Sequence, residues 1–199
     1  MIAMKKLGIK GLLAGAAIAC SLSLPAAAAE ISGVKFADTV KVAGTDLKLN
    51  GVGMRTKVVF KVYAAGLYLA DKKTTPAEVM NAQGPRRVTL VMMRDLTSDE
   101  FGQAFMTGLN KNLSQAEKSR IVSQISKFGE IFASIERLKK GDVLNIDWIP
   151  ATGTHTELNG KKVGESVPDL EFYNAILRIW IGDKPADSSL KPALLGAGN

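Results

Sequence analysis

Few side chains in this sequence can do chemistry, and their scarcity bounds what the chain does. Its 199 residues include one His, His155, and one Cys, Cys20. A Cys/His zinc site, a His-rich metal centre and an intrachain disulfide are thereby excluded. A papain-type Cys–His pair is disfavoured too, because the Cys lies near the start. No cofactor or metal is expected. What remains is a binding protein, or an enzyme working with Arg, Tyr, Lys, Asp or Glu. Asp142, Asp147 and Glu157 show no spacing of a carboxylate pair, and His155, beside a predicted turn, is expected to be exposed. Arg55 and Tyr63 are eight residues apart in a β-rich run. In one uninterrupted strand they share a face but stand about 26 Å apart. That is too far to hold one carboxylate without a bulge, a bend or long reach. Lys57 and Lys61 share their parity, so the face also reads as a solvated one.

The elements that must position these residues follow from periodicity and caps. Residues 34–49 read as a β-hairpin turning at Ala43-Gly44-Thr45-Asp46. The run 54–69 (MRTKVVFKVYAAGLYL) reads as one long strand, with Gly66 as a bulge or a point of close approach. Thr75-Pro76-Ala77-Glu78, Thr97-Ser98-Asp99-Glu100 and Ser114-Gln115-Ala116-Glu117 are capping boxes opening three helices. Between the first two, 87–93 (RVTLVMM) reads as a buried strand. The second helix is expected over 98–112 with Phe101, Phe105 and Leu109 on one stripe. The third is expected over 115–137, with Ile121, Ile125, Phe128, Phe132 and Ile135 at helical spacing. A strand follows at 143–149, then a hairpin about Asn159-Gly160. A last helix runs from Pro168-Asp169 to about Ile181 and stops at Gly182. Strands and helices segregate along the chain, which predicts an α+β fold with a mostly antiparallel sheet.

Residues 1–29 stand apart. Lys5, Lys6 and Lys10 precede an uncharged apolar run over 11–24, Pro25 breaks it, and Ala27-Ala28-Ala29 forms a small-x-small site before Glu30. This is the pattern of a secretory signal peptide, cleaved after Ala29 to leave a periplasmic domain over 30–199. The apolar run falls short of the roughly 20 residues that span a bilayer. No transmembrane segment is expected in the mature chain. Lipidation at Cys20 is the alternative, on a box (Ala17-Ile18-Ala19-Cys20) that lacks the usual Leu. Cleavage removes three Lys, so Lys+Arg falls from 26 to 23 against 19 Asp+Glu and the net charge from +7 to +4. The pairs Lys72-Lys73, Arg86-Arg87, Lys139-Lys140 and Lys161-Lys162 read as solvated surface. They are too scattered for a nucleic-acid patch, and no nucleic-acid partner is expected. With 46% hydrophobic and 23% charged residues the mature chain reads as one globular domain.

Several stretches carry a resemblance. Gly51-Val52-Gly53-Met54-Arg55, Lys61-Val62-Tyr63-Ala64-Ala65-Gly66-Leu67-Tyr68-Leu69, Trp148-Ile149-Pro150 and 172–183 (FYNAILRIWIGD) look like the chalcone isomerase-like family. The ending 185–196 (PADSSLKPALLG) is similar to its secreted bacterial branch. The resemblance spans about 33–196. It implies an open-faced β-sandwich, a large antiparallel sheet packed against a layer of helices. Members of the family include chalcone isomerases, fatty-acid-binding proteins and non-catalytic relatives. The enzymes close a flavanone ring with an Arg at the start of the long strand, a Thr further along it, a Tyr and an Asn from a helix, and a Ser or Thr on the last helix. The Arg position matches Arg55. The Thr position falls, through a gap, on Tyr63. The helix positions fall near Phe101 and Gly108, and the last near Tyr173. Only Arg55 is kept in kind. Losing one such polar group costs about 10²–10³ in rate, so the resemblance implies little isomerase activity.

The fatty-acid-binding branch pairs an early Arg with a later Tyr around a carboxylate, above an apolar tunnel. By that resemblance Arg55 and Tyr63 hold the head group of a small apolar, lipid-like ligand, as a guanidinium fork suits a carboxylate. Phe101, Phe105, Met106, Val59 and Tyr173 are expected to supply the apolar wall. Two other readings stay open. One is an isomerase or lyase using Arg55 and Tyr63 on an unknown substrate. The other is an envelope partner-binding protein whose cleft is vestigial.

Overall fold

Glycine and bulge positions in the central strands decide how the helices reach the sheet. The computed structural model describes residues 28–197, so the expected signal peptide, apart from Ala28 and Ala29, and Cys20 lie outside the described residues. In chain order the strands are β1 (Ala28–Ile31), β2 (Val34–Ala37), β3 (Thr39–Val42), β4 (Thr45–Lys57), β5 (Phe60–Leu69), β6 (Arg86–Met92), β7 (Leu96–Thr97), β8 (Arg137–Leu138), β9 (Val143–Ile149), β10 (Gly153–Leu158) and β11 (Lys161–Lys162). The helices are α1 (Pro76–Met80), α2 (Ser98–Asn112), α3 (Gln115–Arg120), α4 (Val122–Ala133), α5 (Leu170–Ile181) and α6 (Leu190–Leu194). Seven strands form one antiparallel sheet in the order β11-β10-β9-β6-β5-β4-β3. The fold is α+β, as the segregation of elements along the chain predicts.

Alternation along β5 separates two cores. Tyr63, Ala65, Leu67 and Leu69 face the helices and join the main core with Phe105, Phe128, Phe172 and Trp180. Ala64 and Tyr68 face the other way, onto Phe36, Val42, Leu47 and Leu49, beneath the β1–β2 hairpin. Gly51 and Gly53 of β4 are a contact surface for α6: a Cβ on either would run into Leu194 or Leu190. Gly66 is a close approach, its missing Cβ leaving room for the Phe36 ring. The bulges lie elsewhere, between Leu49 and Gly51 and between Arg55 and Thr56 in the β4–β5 ladder. At the first, Asn50 is the extra residue. Its buried amide donates to Lys73 O (2.9 Å) and Leu194 O (2.7 Å) and fastens α6 to the sheet.

Three sequence expectations change. The run 54–69 is two strands: the chain reverses at Val58-Val59, and β5 returns along β4. Lys57, Val58, Val59 and Phe60, which lie inside the expected strand, form the exposed tip of a hairpin instead. The third helix is two helices, α3 and α4, broken at Ile121 (φ −111°, ψ 17°). It ends at Ala133, and Ile135 packs from the loop beyond. The apolar stripe begins at the break, with Ile121, and α3 before it buries no residue. Arg86-Arg87 is not surface: Arg86 is 0% exposed. Arg87 makes a two-point contact with buried Asp147, at 2.7 and 2.6 Å. All three capping boxes form as expected, and Asn159-Gly160 turns the β10–β11 hairpin at positive φ.

Candidate functional site

The reversal at Val58-Val59 brings Arg55 and Tyr63 together. They are direct cross-strand partners in the β4–β5 ladder, so both side chains leave the same face of the sheet. The next rung pairs Thr56 with Lys61, which leaves Val62 as the extra residue of a bulge. Bulges beside sites re-aim side chains, and this one lies between Tyr63 and the turn. The Arg55 guanidinium carbon stands 5.3 Å from the centre of the Tyr63 ring. Thr56, next to Arg55, donates its N–H to Asp187 (2.8 Å), so the chain after α5 holds this end of β4 in place.

The donors of this pair are only partly spent. Buried Arg55 Nε has no hydrogen-bond partner among the described residues. Tyr63 accepts a hydrogen bond from Trp180 Nε1 at 2.7 Å, in the main core. That fills a lone pair of the phenol and leaves its own O–H to donate. Burial pushes the Tyr63 hydroxyl above its ordinary pKa, against the opposing pull of Arg55 and the Trp180 hydrogen bond. The phenol is therefore a neutral donor.

Both residues line a cavity of about 430 Å³, between the ends of β4 and β5 and the helices α2 and α5. Its apolar wall includes Phe101, Phe105, Val62, Ile146 and Ile179. Phe101 is held by stacking on Phe132, ring centres 4.6 Å apart, and Phe105 by Phe128 at 5.0 Å. Gly108 is where Ile179 presses against α2; a Cβ there would lie 2.7 Å from Ile179 Cγ2. The position resembling a helix Asn thus holds an apolar helix–helix contact. The rim is cationic: Lys57, Arg94, Lys111 and Lys184 join Arg55, against one carboxylate, Glu100. These rim residues and Trp180 escape sequence reading. Trp180 lies on an apolar stripe, and the signal it offered is general: a buried indole N–H needs an acceptor.

The remaining expected residues lie elsewhere. Tyr173 is fully buried and does not line this cavity. Its ring packs under Arg86, 5.3 Å from the guanidinium carbon, and its hydroxyl reaches Ile146 O at 3.4 Å. Val59 is in the exposed turn and Met106 on the outer face of α2. His155 is half-buried rather than exposed, between Ser166 and Glu157, each at 3.4 Å. Asp147 and Glu157, unpaired as a sequence motif, converge on Arg87. Among the described residues no His/Cys/Asp/Glu group could hold a metal ion, and no helix is long and apolar enough to cross a membrane.

Fold and site together define an α+β protein in which helices roof one face of an antiparallel sheet over an apolar, cation-rimmed cavity. A chalcone isomerase-like family model matches residues 28–196, and the chain belongs to that family. Among solved structures it is similar to a fatty-acid binding protein of Arabidopsis thaliana, with a TM-score of 0.68 and 17% identity. The match covers 86% of this chain and 97% of the other. No curated protein matches the sequence.

Proposed function

We propose that this protein is a non-catalytic binder of a small apolar acid such as a fatty acid, acting in the periplasm after cleavage behind Ala29. The carboxylate sits between Arg55 and Tyr63, and the tail lies along Phe101 and Phe105. One observation carries the reading: Arg55 and Tyr63 line one cavity, and the buried Arg55 Nε–H and the Tyr63 O–H have no acceptor among the described residues. Buried donors are ordinarily paired, and a carboxylate satisfies both. The cavity falls within the usual range for small-ligand sites, about 300–1,000 Å³. Its open volume speaks against a vestigial cleft. The fatty-acid binding of the Arabidopsis neighbour supports the ligand class. Phe101 and Gly108 supply no polar group for isomerase chemistry, which favours binding over catalysis.

The test is direct. Mass spectrometry of lipids that co-purify with the mature protein should find long-chain acids, and titration with such an acid should saturate one site. Arg55→Ala should weaken binding by about 1.5–3 kcal/mol, the worth of a hydrogen bond to a charged group. Protein that emerges lipid-free and takes up no long-chain acid overturns the proposal.

A further inference from the structure

Three apolar residues in a row stand in solvent at the tip of the β4–β5 hairpin. Val58, Val59 and Phe60 are 90%, 76% and 61% exposed. Val58 also has φ 60°, a region that β-branched residues rarely enter. A two-residue hairpin turn with positive φ at its first position ordinarily takes glycine there. The turn thus carries an apolar side chain where the backbone disfavours it and no core contact compensates. Fold stability does not account for it.

The surroundings say what such a tip would meet. Lys57 and Lys61 flank it, both exposed. Lys57 also lines the cavity with Arg55 and Thr56, so tip and mouth are continuous. Arg94, Lys111 and Lys184 extend the same positive rim. Apolar side chains ringed by lysines complement an anionic phospholipid surface: the first enter the acyl boundary, the second stay with the head groups.

We propose that this tip docks the protein on an anionic phospholipid bilayer with the cavity mouth facing the membrane. Docking rests on the tip alone. Its consequence, that the bound acid passes between bilayer and cavity without crossing bulk water, rests on the function proposed above.

Sedimentation of the mature protein with vesicles tests this. Vesicles containing phosphatidylglycerol should carry the protein down, and pure phosphatidylcholine vesicles much less. Val59→Ser with Phe60→Ser should cut partitioning about tenfold or more, as two apolar side chains no longer leave water. Lys61→Gln should cut it about fivefold. Val58→Gly should raise the denaturant midpoint, because it relieves the turn, and still lower vesicle binding. Uptake of a fluorescent fatty acid from solution should be unchanged in the Val59/Phe60 variant. Wild-type protein that stays with the supernatant, or sediments as well as the double variant, overturns docking. So does a wild-type dimer that the double variant dissociates, since the tip would then meet a second copy. Acid uptake without vesicle binding sinks docking and leaves the cavity reading intact; vesicle binding without acid uptake does the reverse.

Discussion

At the scale of single residues the site depends on donors left unspent. Trp180 gives its N–H to Tyr63 and so directs the phenol's own proton elsewhere. Tyr63→Phe should then have two separate effects. It should weaken acid binding by about 0.5–1.5 kcal/mol, the net worth of one hydrogen bond, in a titration. It should also lower stability by about 1–3 kcal/mol in denaturant, because the buried Trp180 N–H loses its acceptor. If only stability falls, Tyr63 is a core residue and not a ligand group. pH gives an independent check. Burial raises the Tyr63 pKa, so the neutral donor persists above the ordinary tyrosine value and acid affinity should be flat from about pH 7 to pH 9.5. A decline beginning near pH 9 would mean that the phenol is solvated. The residue types of this pair are visible in the sequence; their shared face comes from the reversal and the Val62 bulge, not from the even spacing in one strand. Their proximity is not visible there, because nothing in the run 54–69 announces a reversal. Turn chemistry usually does so through Gly, Asn or Asp, and here the turn is Val58-Val59. The feature that hides the hairpin from the sequence is the one that marks its tip as unusual.

At the scale of elements, caps and apolar stripes are legible and breaks are not. Thr75, Thr97 and Ser114 cap as their sequences require, since each capping box is complete within four residues. The break at Ile121 falls where burial begins: α3 buries no residue, and the core draws in Ile121, Phe128 and Phe132 from there on. The Ser114 cap has a pH consequence. The Ser114 N–H, then the Arg178 guanidinium, hold Glu117 down to a pKa of about 2. A depressed carboxylate contributes stability above its unfolded pKa and loses it as pH falls through the folded one. The loss therefore runs from about pH 4.5 to pH 2. Glu117→Gln should lower stability at pH 7 by about 1 kcal/mol or less, since the pair is partly solvent-screened. The difference from wild type should vanish near pH 2. A constant difference across that range would assign the effect to packing instead. Packing between helices makes its own prediction. Gly108→Ala puts a Cβ 2.7 Å from Ile179 Cγ2 and should cost about 1–3 kcal/mol by overpacking, read from the denaturant midpoint. An unchanged midpoint would mean that α2 and α5 are free to separate.

At the scale of the whole molecule the order of elements is enough to give the class, because strands and helices that segregate in sequence pack as one sheet under a helical layer. The β1–β2 hairpin is the part that order does not anticipate. It closes a second small core over Phe36, Leu47 and Tyr68, on the face away from the helices. The hairpin also meets the expected processing site. A cut between Ala29 and Glu30 falls inside β1, where Ala28 pairs with Ala37 and Ala29 with Phe36. Glu30 and Ile31 would remain, opposite Lys35 and Val34. Such a cut removes two rungs but only alanine side chains, and Ala29 is only partly buried against the second core. Little apolar area leaves with Ala29, at about 25 cal/mol per Å². The mature protein should therefore begin at Glu30 by intact mass, and its denaturant midpoint should match that of a chain kept from Ala28 within about 0.5 kcal/mol, as for surface changes generally. A mass that retains Cys20 with an added diacylglyceryl group would place the cut upstream and leave β1 whole. A mature chain that starts at Glu30 but is markedly less stable would show that the first two rungs carry the hairpin, and with it the cover over Tyr68.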